Sequence, residues 1–148
     1  ASFVGNVLAV RKDTYQTSTT TTLVNVDDLT LNLEANTNYT IEGALFAIAS
    51  STTPDLSIAF EIPSGATMDI GYVGGYDAAA RDADVLSASG VGSSRIELDA
   101  TYPTIIQING TIKMGSTDGN VILKWGQAQS NLSNILIKPG SYLRAQGI

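Results

Sequence analysis

The stretch from Thr104 to Gln129 constrains the fold of this chain more than any other. Its first arm alternates apolar and polar residues, and the apolar residues are Ile106, Ile108, Ile112 and Met114. The turn sequence GSTDG follows, and its glycines tolerate the positive φ angles that tight turns require. The second arm places Val121, Leu123 and Trp125 at the same spacing of two. This pattern predicts a long β-hairpin with one apolar face.

The rest of the chain repeats this period of two in short segments that are separated by turn sequences. Apolar residues alternate with polar ones over 29–33 and 55–62, and Pro63-Ser64-Gly65 and Lys138-Pro139-Gly140 are strong turn signals. The Thr-rich segment 14–26 suits a half-exposed strand. Roughly eight to ten such strands predict an all-β fold, an antiparallel β-sandwich of the jelly-roll type.

The length of 148 residues predicts one domain. We assign residues 14–148 to a single β-sandwich domain. Residues 1–13 form either a first strand or an arm that lies on a neighbouring subunit. Residues 66–94 are rich in glycine and predict a long, irregular, partly stranded loop, which is a candidate contact surface.

The chain contains no Cys and no His. This composition removes disulfides, zinc sites and catalysis by imidazole or thiolate. Carboxylate chemistry remains, but the acidic residues show no dense calcium-loop pattern and no pair that must converge. The sequence therefore predicts no enzyme, no catalytic residues, no metal and no cofactor.

The formal net charge of −6 argues against nucleic acid as a partner, because the eight basic residues are scattered along the chain. Membrane insertion is not expected either, since no apolar run approaches the roughly 20 residues of a membrane-spanning helix. The segment that begins at Ala1 lacks the basic and apolar regions of a secretion signal, which predicts synthesis in the cytoplasm.

Two local features have competing interpretations. Four aromatic residues could form a platform that binds sugar or could pack in the core or at a subunit interface, and packing is favoured. They are Trp125, Tyr142, Tyr102 and Tyr39. Asn109-Gly110 interrupts the first arm of the predicted hairpin, where it indicates a bulge or a close backbone approach.

Three blocks of the sequence resemble a module of virion structural proteins of tailed bacteriophages. They are DDLTLNLEANTNYTIEGALF, TTPDLSIAFEIPSGATM and INGTIKMGSTDGNVILKWGQAQSNLSNILIKPGSYLRA. The match covers most of residues 27–146 and is weak over 69–100. Its motifs are structural rather than catalytic.

The resemblance implies a capsid decoration (cement) protein, made in the host cytoplasm and located on the outer capsid surface. Its expected partners are the major capsid protein and two further copies of itself in a homotrimer. The residues expected to contact a partner are Phe3, Val4, Val7, Leu8, Val10, Tyr72 and Tyr76. The alternative is a host-recognition module at a tail or fibre tip, which would bind surface glycan through exposed aromatics of the 66–94 loop. A small carboxylate-based glycan hydrolase is a third possibility.

Overall fold

A computed structural model describes residues 7–51, 54–75, 82–86 and 95–148. These ranges form twelve strands: β1 Val7–Arg11, β2 Gln16–Ser18, β3 Val24–Leu33, β4 Asn38–Ala49, β5 Asp55–Glu61, β6 Thr67–Gly74, β7 Asp82–Leu86, β8 Ile96–Glu97, β9 Thr104–Lys113, β10 Gly119–Gln127, β11 Ile135–Ile137 and β12 Tyr142–Gly147. They contain no helix long and apolar enough to cross a membrane.

The strands form two antiparallel sheets. The larger sheet has the order β1-β12-β4-β9-β6-β7, and β11 joins it by pairing with both β4 and β2. The smaller sheet has the order β3-β10-β5-β8. The antiparallel β-sandwich predicted from the sequence is confirmed.

The core lies between the two sheets and follows directly from the period of two. Strand β9 buries Ile106, Ile108 and Ile112. Strand β6 buries Met68, Ile70 and Tyr72. The smaller sheet contributes Phe60, Leu123 and the fully buried Trp125 from the opposite side. Alternate residues of each strand therefore supply one continuous apolar layer, which holds the sheets together.

The predicted hairpin over Thr104–Gln129 is wrong. Strand β9 pairs with β4 and β6 in the larger sheet, whereas β10 pairs with β3 and β5 in the smaller one. The glycine-containing turn between them carries the chain from one sheet to the other. The turn is fixed by Asp118, whose Oδ1 accepts a hydrogen bond from the Ala35 backbone N–H at 2.6 Å. The apolar rows of the two arms consequently face each other across the core.

The segment 66–94, predicted as a long, irregular and partly stranded loop, contains two regular strands where the structure describes it. Strands β6 and β7 are antiparallel neighbours at one edge of the larger sheet, with Ile70 opposite Leu86 and Gly74 opposite Asp82. Residues 76–81 and 87–94 lie outside the described residues. Alternating apolar side chains hold β6 in place despite its glycines, because every second residue enters the core.

The described part of the N-terminal segment is a strand of the chain's own larger sheet. Strand β1 pairs with β12, from Val7 opposite Gln146 to Arg11 opposite Tyr142. Residues 1–6 lie outside the described residues.

Gly110 permits a close backbone approach at the centre of the larger sheet, as its sequence position indicated. An added Cβ would contact the Asp69 carbonyl and lie 2.5 Å from the Ile70 Cα. Only glycine therefore fits at this inward position of β9.

Candidate interaction surfaces

Strand β1 forms one exposed edge of the larger sheet. It pairs with β12 on one side, and no described strand pairs with its other side. Val7 is 48% exposed and Leu8 is 38% exposed, whereas Val10 is half-buried against the core. An edge with free backbone groups and exposed apolar side chains can pair with a strand of another chain.

The other residues predicted to contact a partner have different outcomes. Phe3, Val4 and Tyr76 lie outside the described residues. Tyr72 is only 4% exposed, and its hydroxyl donates a hydrogen bond to Asp82 Oδ2 at 2.7 Å. Tyr72 is therefore not a surface contact, because it occupies an inward position of β6 next to Ile70.

A depression of about 360 Å³ lies on the outer face of the larger sheet, and we call it the Ala44 cup. Ala44 forms its floor, with Tyr142 of β12 and Gln107 of β9 as its direct cross-strand partners. Along β4, the outward neighbours of Ala44 are Glu42 and Phe46. The cup forms because the side chain of Ala44 is only a methyl group, whereas its neighbours on the outer face carry larger side chains.

The walls of the Ala44 cup combine apolar and hydrogen-bonding groups. Tyr142, Phe46 and Ile105 supply apolar surface. Gln107 and Asn109 point outward, and their amides form no hydrogen bond within the described residues. The carboxylate of Glu42 forms an ion pair with Arg144 at 3.2 Å through Oε1.

Two further depressions continue from the Ala44 cup toward the start of β9. One is about 320 Å³ and lies between Val73–Gly75 and the residues Ile105 and Gln107. The other is about 310 Å³ and reaches the strongly exposed Tyr102. All three depressions share Ile105, so they form one interrupted trough across the sheet.

The loop between β10 and β11 is ordered by one buried glutamine. Gln127 Nε2 donates to the carbonyls of Ser18 at 3.0 Å and Ser133 at 2.8 Å. Its Oε1 accepts from the Asn131 backbone N–H at 2.6 Å. The same loop carries Leu132, which is 98% exposed. The glutamine thus holds a surface loop and the β2 segment together from inside the protein.

Lys12 is fully buried and belongs to a structural network. Its Nζ donates to Gln16 Oε1 at 3.0 Å and lies 3.5 Å from the Asp27 carbonyl. Gln16 Oε1 also accepts from the Asp27 backbone N–H, and Gln16 Nε2 donates to the Asn25 carbonyl. These bonds hold an irregular part of β3, where Asp28 has a φ of 71°. Lys12 itself is 0% exposed, so these bonds stabilise the fold.

The acidic groups of the described residues do not form a cluster of three or more that could hold a metal ion. Asp55 and Glu97 stand directly opposite each other in the smaller sheet. Burial raises the pKa of the Asp55 carboxyl above its usual value, and the positive charge of Arg95 offsets part of that rise. Neither carboxyl lines the trough.

Packing in the core is confirmed for two of the four aromatic residues, and packing at a subunit interface stays a prediction for the other two. Trp125 and Tyr39 are buried in the core, but Tyr142 and Tyr102 are exposed at opposite ends of the trough. Sequence reasoning missed the trough altogether. The available signal was the outward position of Gln107, Asn109 and Ile105 on an otherwise well-defined strand.

No protein-family model matches the chain, and a comparison with curated proteins finds no match. The chain is similar in structure to the CBM22-1 xylan-binding domain of Paenibacillus barcinonensis Xyn10C, with 8% identity and a TM-score of 0.35 over 100% of this chain and 98% of that one. It is also similar to VP2 of an infectious bursal disease virus subviral particle, with 13% identity and a TM-score of 0.30 over 96% of this chain.

A further similar structure is that of the Gx strain of infectious bursal disease virus, with 16% identity and a TM-score of 0.27 over 96% of this chain. The chain spans 40% of the VP2 chain of the subviral particle and 38% of the Gx chain. These weak similarities are compatible with a structural or a binding role and show neither one. At such TM-scores they carry no argument about function.

Proposed function

We propose that this protein is a structural protein of a tailed-phage virion, of the capsid decoration type. It binds the outer surface of the shell and stabilises contacts between major capsid subunits. The proposal includes self-association as a homotrimer. The resemblance of three sequence blocks to phage virion modules is what suggests this role.

The observation that carries the proposal is the exposed β1 edge. Val7 and Leu8 present apolar surface beside a strand whose outer side has no partner among the described strands. Strand pairing supplies backbone hydrogen bonds to a neighbouring subunit, and burial of the two side chains adds apolar stabilisation. Each contact is weak, but many copies on one shell reinforce one another.

Point substitutions test the edge better than a truncation. Deleting residues 1–10 would also remove the pairing of β1 with β12 and the core packing of Val10. Val7→Ser removes apolar surface from a half-exposed side chain and keeps the pairing of β1 with β12. Val85→Ser is the matched control, because Val85 is an exposed valine on β7, the other edge strand of the same sheet.

The experiment is co-sedimentation of purified protein with capsids that lack it. Burying a fully exposed valine contributes about 1.5–3 kcal/mol, and Val7 is 48% exposed, so Val7→Ser should weaken shell binding about three- to tenfold. Val85→Ser should bind like the unmodified protein. Equal binding by both variants would overturn the edge contact. Analytical ultracentrifugation of the free protein tests the trimer.

Localisation in the intact particle tests the role itself. A reconstruction of the virion should place many copies on the head. Copies found only at the tail or fibre tip would overturn the decoration role and favour the host-recognition alternative.

A further inference from the structure

We propose that the Ala44 cup and the trough that continues from it form a binding site for a neutral oligosaccharide. This inference goes beyond the proposed virion role and does not depend on it. The site lies on the outer face of the larger sheet, whereas the proposed capsid contact is the edge strand β1.

The walls of the Ala44 cup carry polar groups that a sugar can satisfy. The amides of Gln107 and Asn109 each offer donors and an acceptor, and neither is engaged within the described residues. Glu42 keeps Oε2 available, since its ion pair with Arg144 uses Oε1. A sugar hydroxyl both donates and accepts, so it can satisfy each of these groups. An apolar protein side chain would bury them unpaired, at about 1–3 kcal/mol for each group.

Apolar surface lies beside these polar groups. Tyr142 and Phe46 stand on adjacent strands at the rim of the cup. The face of a sugar ring is lined by C–H groups and packs well on such apolar surface. Apolar walls with a few convergent polar groups are the usual composition of a small-ligand site, and the volume of the cup falls at the small end of such sites.

The length of the trough and the charge of the protein favour a neutral chain of several sugars. The trough extends from Tyr142 across Ile105 to Tyr102, which suits several linked rings better than one. Asp99 lines the depression at the far end of the trough, and the chain has a formal net charge of −6. A sulfated or sialylated chain would therefore be repelled, and a neutral chain fits.

The test fills the cup without disturbing the core. Ala44→Leu places three further carbons on the floor, on the outer face of β4. Thr40→Leu is the matched control, because it introduces the same side chain on the same face of the same strand, outside the cup. Gln107→Leu removes one of the free amides. Urea unfolding followed by Trp125 fluorescence verifies that each variant folds.

The probe is an array of neutral, sialylated and sulfated oligosaccharides, followed by isothermal titration with the best-bound neutral compound. We expect binding to neutral oligosaccharides, a loss of at least tenfold in affinity for Ala44→Leu and Gln107→Leu, and no change for Thr40→Leu. Absence of neutral binding, a preference for anionic glycans, or equal binding by folded Ala44→Leu would overturn the proposal. Capsid co-sedimentation of Ala44→Leu separates the two ideas, since shell binding should be unaffected.

Discussion

The buried Gln127 gives the sharpest test of the loop architecture. Its side chain makes three hydrogen bonds, two as donor to the carbonyls of Ser18 and Ser133 and one as acceptor from the Asn131 N–H. Gln127→Met keeps a similar shape but removes all three bonds. Gln127→Glu keeps an acceptor for the Asn131 N–H. It replaces the donor Nε2 by an oxygen that faces the carbonyl oxygens of Ser18 and Ser133.

The magnitudes follow from these contacts. A hydrogen bond contributes a net 0.5–1.5 kcal/mol, so three bonds lost in Gln127→Met cost about 1.5–4.5 kcal/mol. At about 2–4 °C per kcal/mol in a chain of this size, the melting temperature falls by roughly 3–18 °C. Gln127→Glu adds a buried unpaired charge, and its cost at neutral pH is on the order of 3–5 kcal/mol.

The pH dependence separates the two variants. Burial and the two carbonyl oxygens disfavour the charged form, so the pKa of the introduced carboxyl lies above its usual value. A protonated carboxyl can donate again, and its stabilisation is present at low pH and lost as the pH rises through the folded-state pKa. The loss of unfolding free energy in Gln127→Glu should therefore become smaller as the pH falls, whereas the loss in Gln127→Met should stay constant.

The assay is urea unfolding at pH 7 and pH 4, followed by the fluorescence of the single, buried Trp125. Hydrogen exchange at the Asn131 amide reports the loop directly, and its protection should fall in Gln127→Met. A loss of less than about 0.5 kcal/mol in Gln127→Met, below the net value of one hydrogen bond, would refute the reasoning. An equal deficit of Gln127→Glu at both pH values would refute it as well.

Two further predictions concern stability. Gly110→Ala should lower the free energy of unfolding in urea by about 1–3 kcal/mol or more, because the new Cβ meets the β6 backbone. Gly71→Ala is the control and should be tolerated, since the atoms nearest to its new Cβ are 3.7 Å away. Equal losses of stability in the two variants would contradict this. Asp55→Asn should stabilise the protein at pH 7. The pKa of Asp55 is raised in the folded state, so its charged carboxyl destabilises the fold above pH 3.8. The gain in stability from Asp55→Asn should therefore disappear below that pH. A gain that persists at pH 3, or an equal gain in the exposed control Asp13→Asn, would contradict the assignment to Asp55.

The strands and their buried faces could be predicted from the sequence, but the pairing of the strands could not. The alternation of apolar and polar residues in β9 and β10 indicates which residues face inward. It does not indicate which sheet each strand joins. A glycine-containing turn fits a hairpin and also fits a crossing between sheets, and both arrangements bury the same rows. Turn composition therefore could not decide between them.

Tyr72 shows a different kind of error. Its spacing from Met68 and Ile70 already indicated an inward position, but the neighbouring glycines favoured a loop. The Ala44 cup was beyond prediction for a physical reason. Its walls come from three strands that are distant in sequence, and only the pairing register brings Tyr142 and Gln107 to either side of Ala44.

The pairing of β1 with β12 has a consequence for when this protein can assemble. Val7 lies opposite Gln146, so the edge at β1 is built from segments at opposite ends of the sequence. Contacts between such distant segments form late, because the intervening chain must first be ordered. A partner that recognises the β1 edge would therefore engage only molecules whose β12 has been synthesised and docked. Folding would therefore have to be complete before any association through the β1 edge.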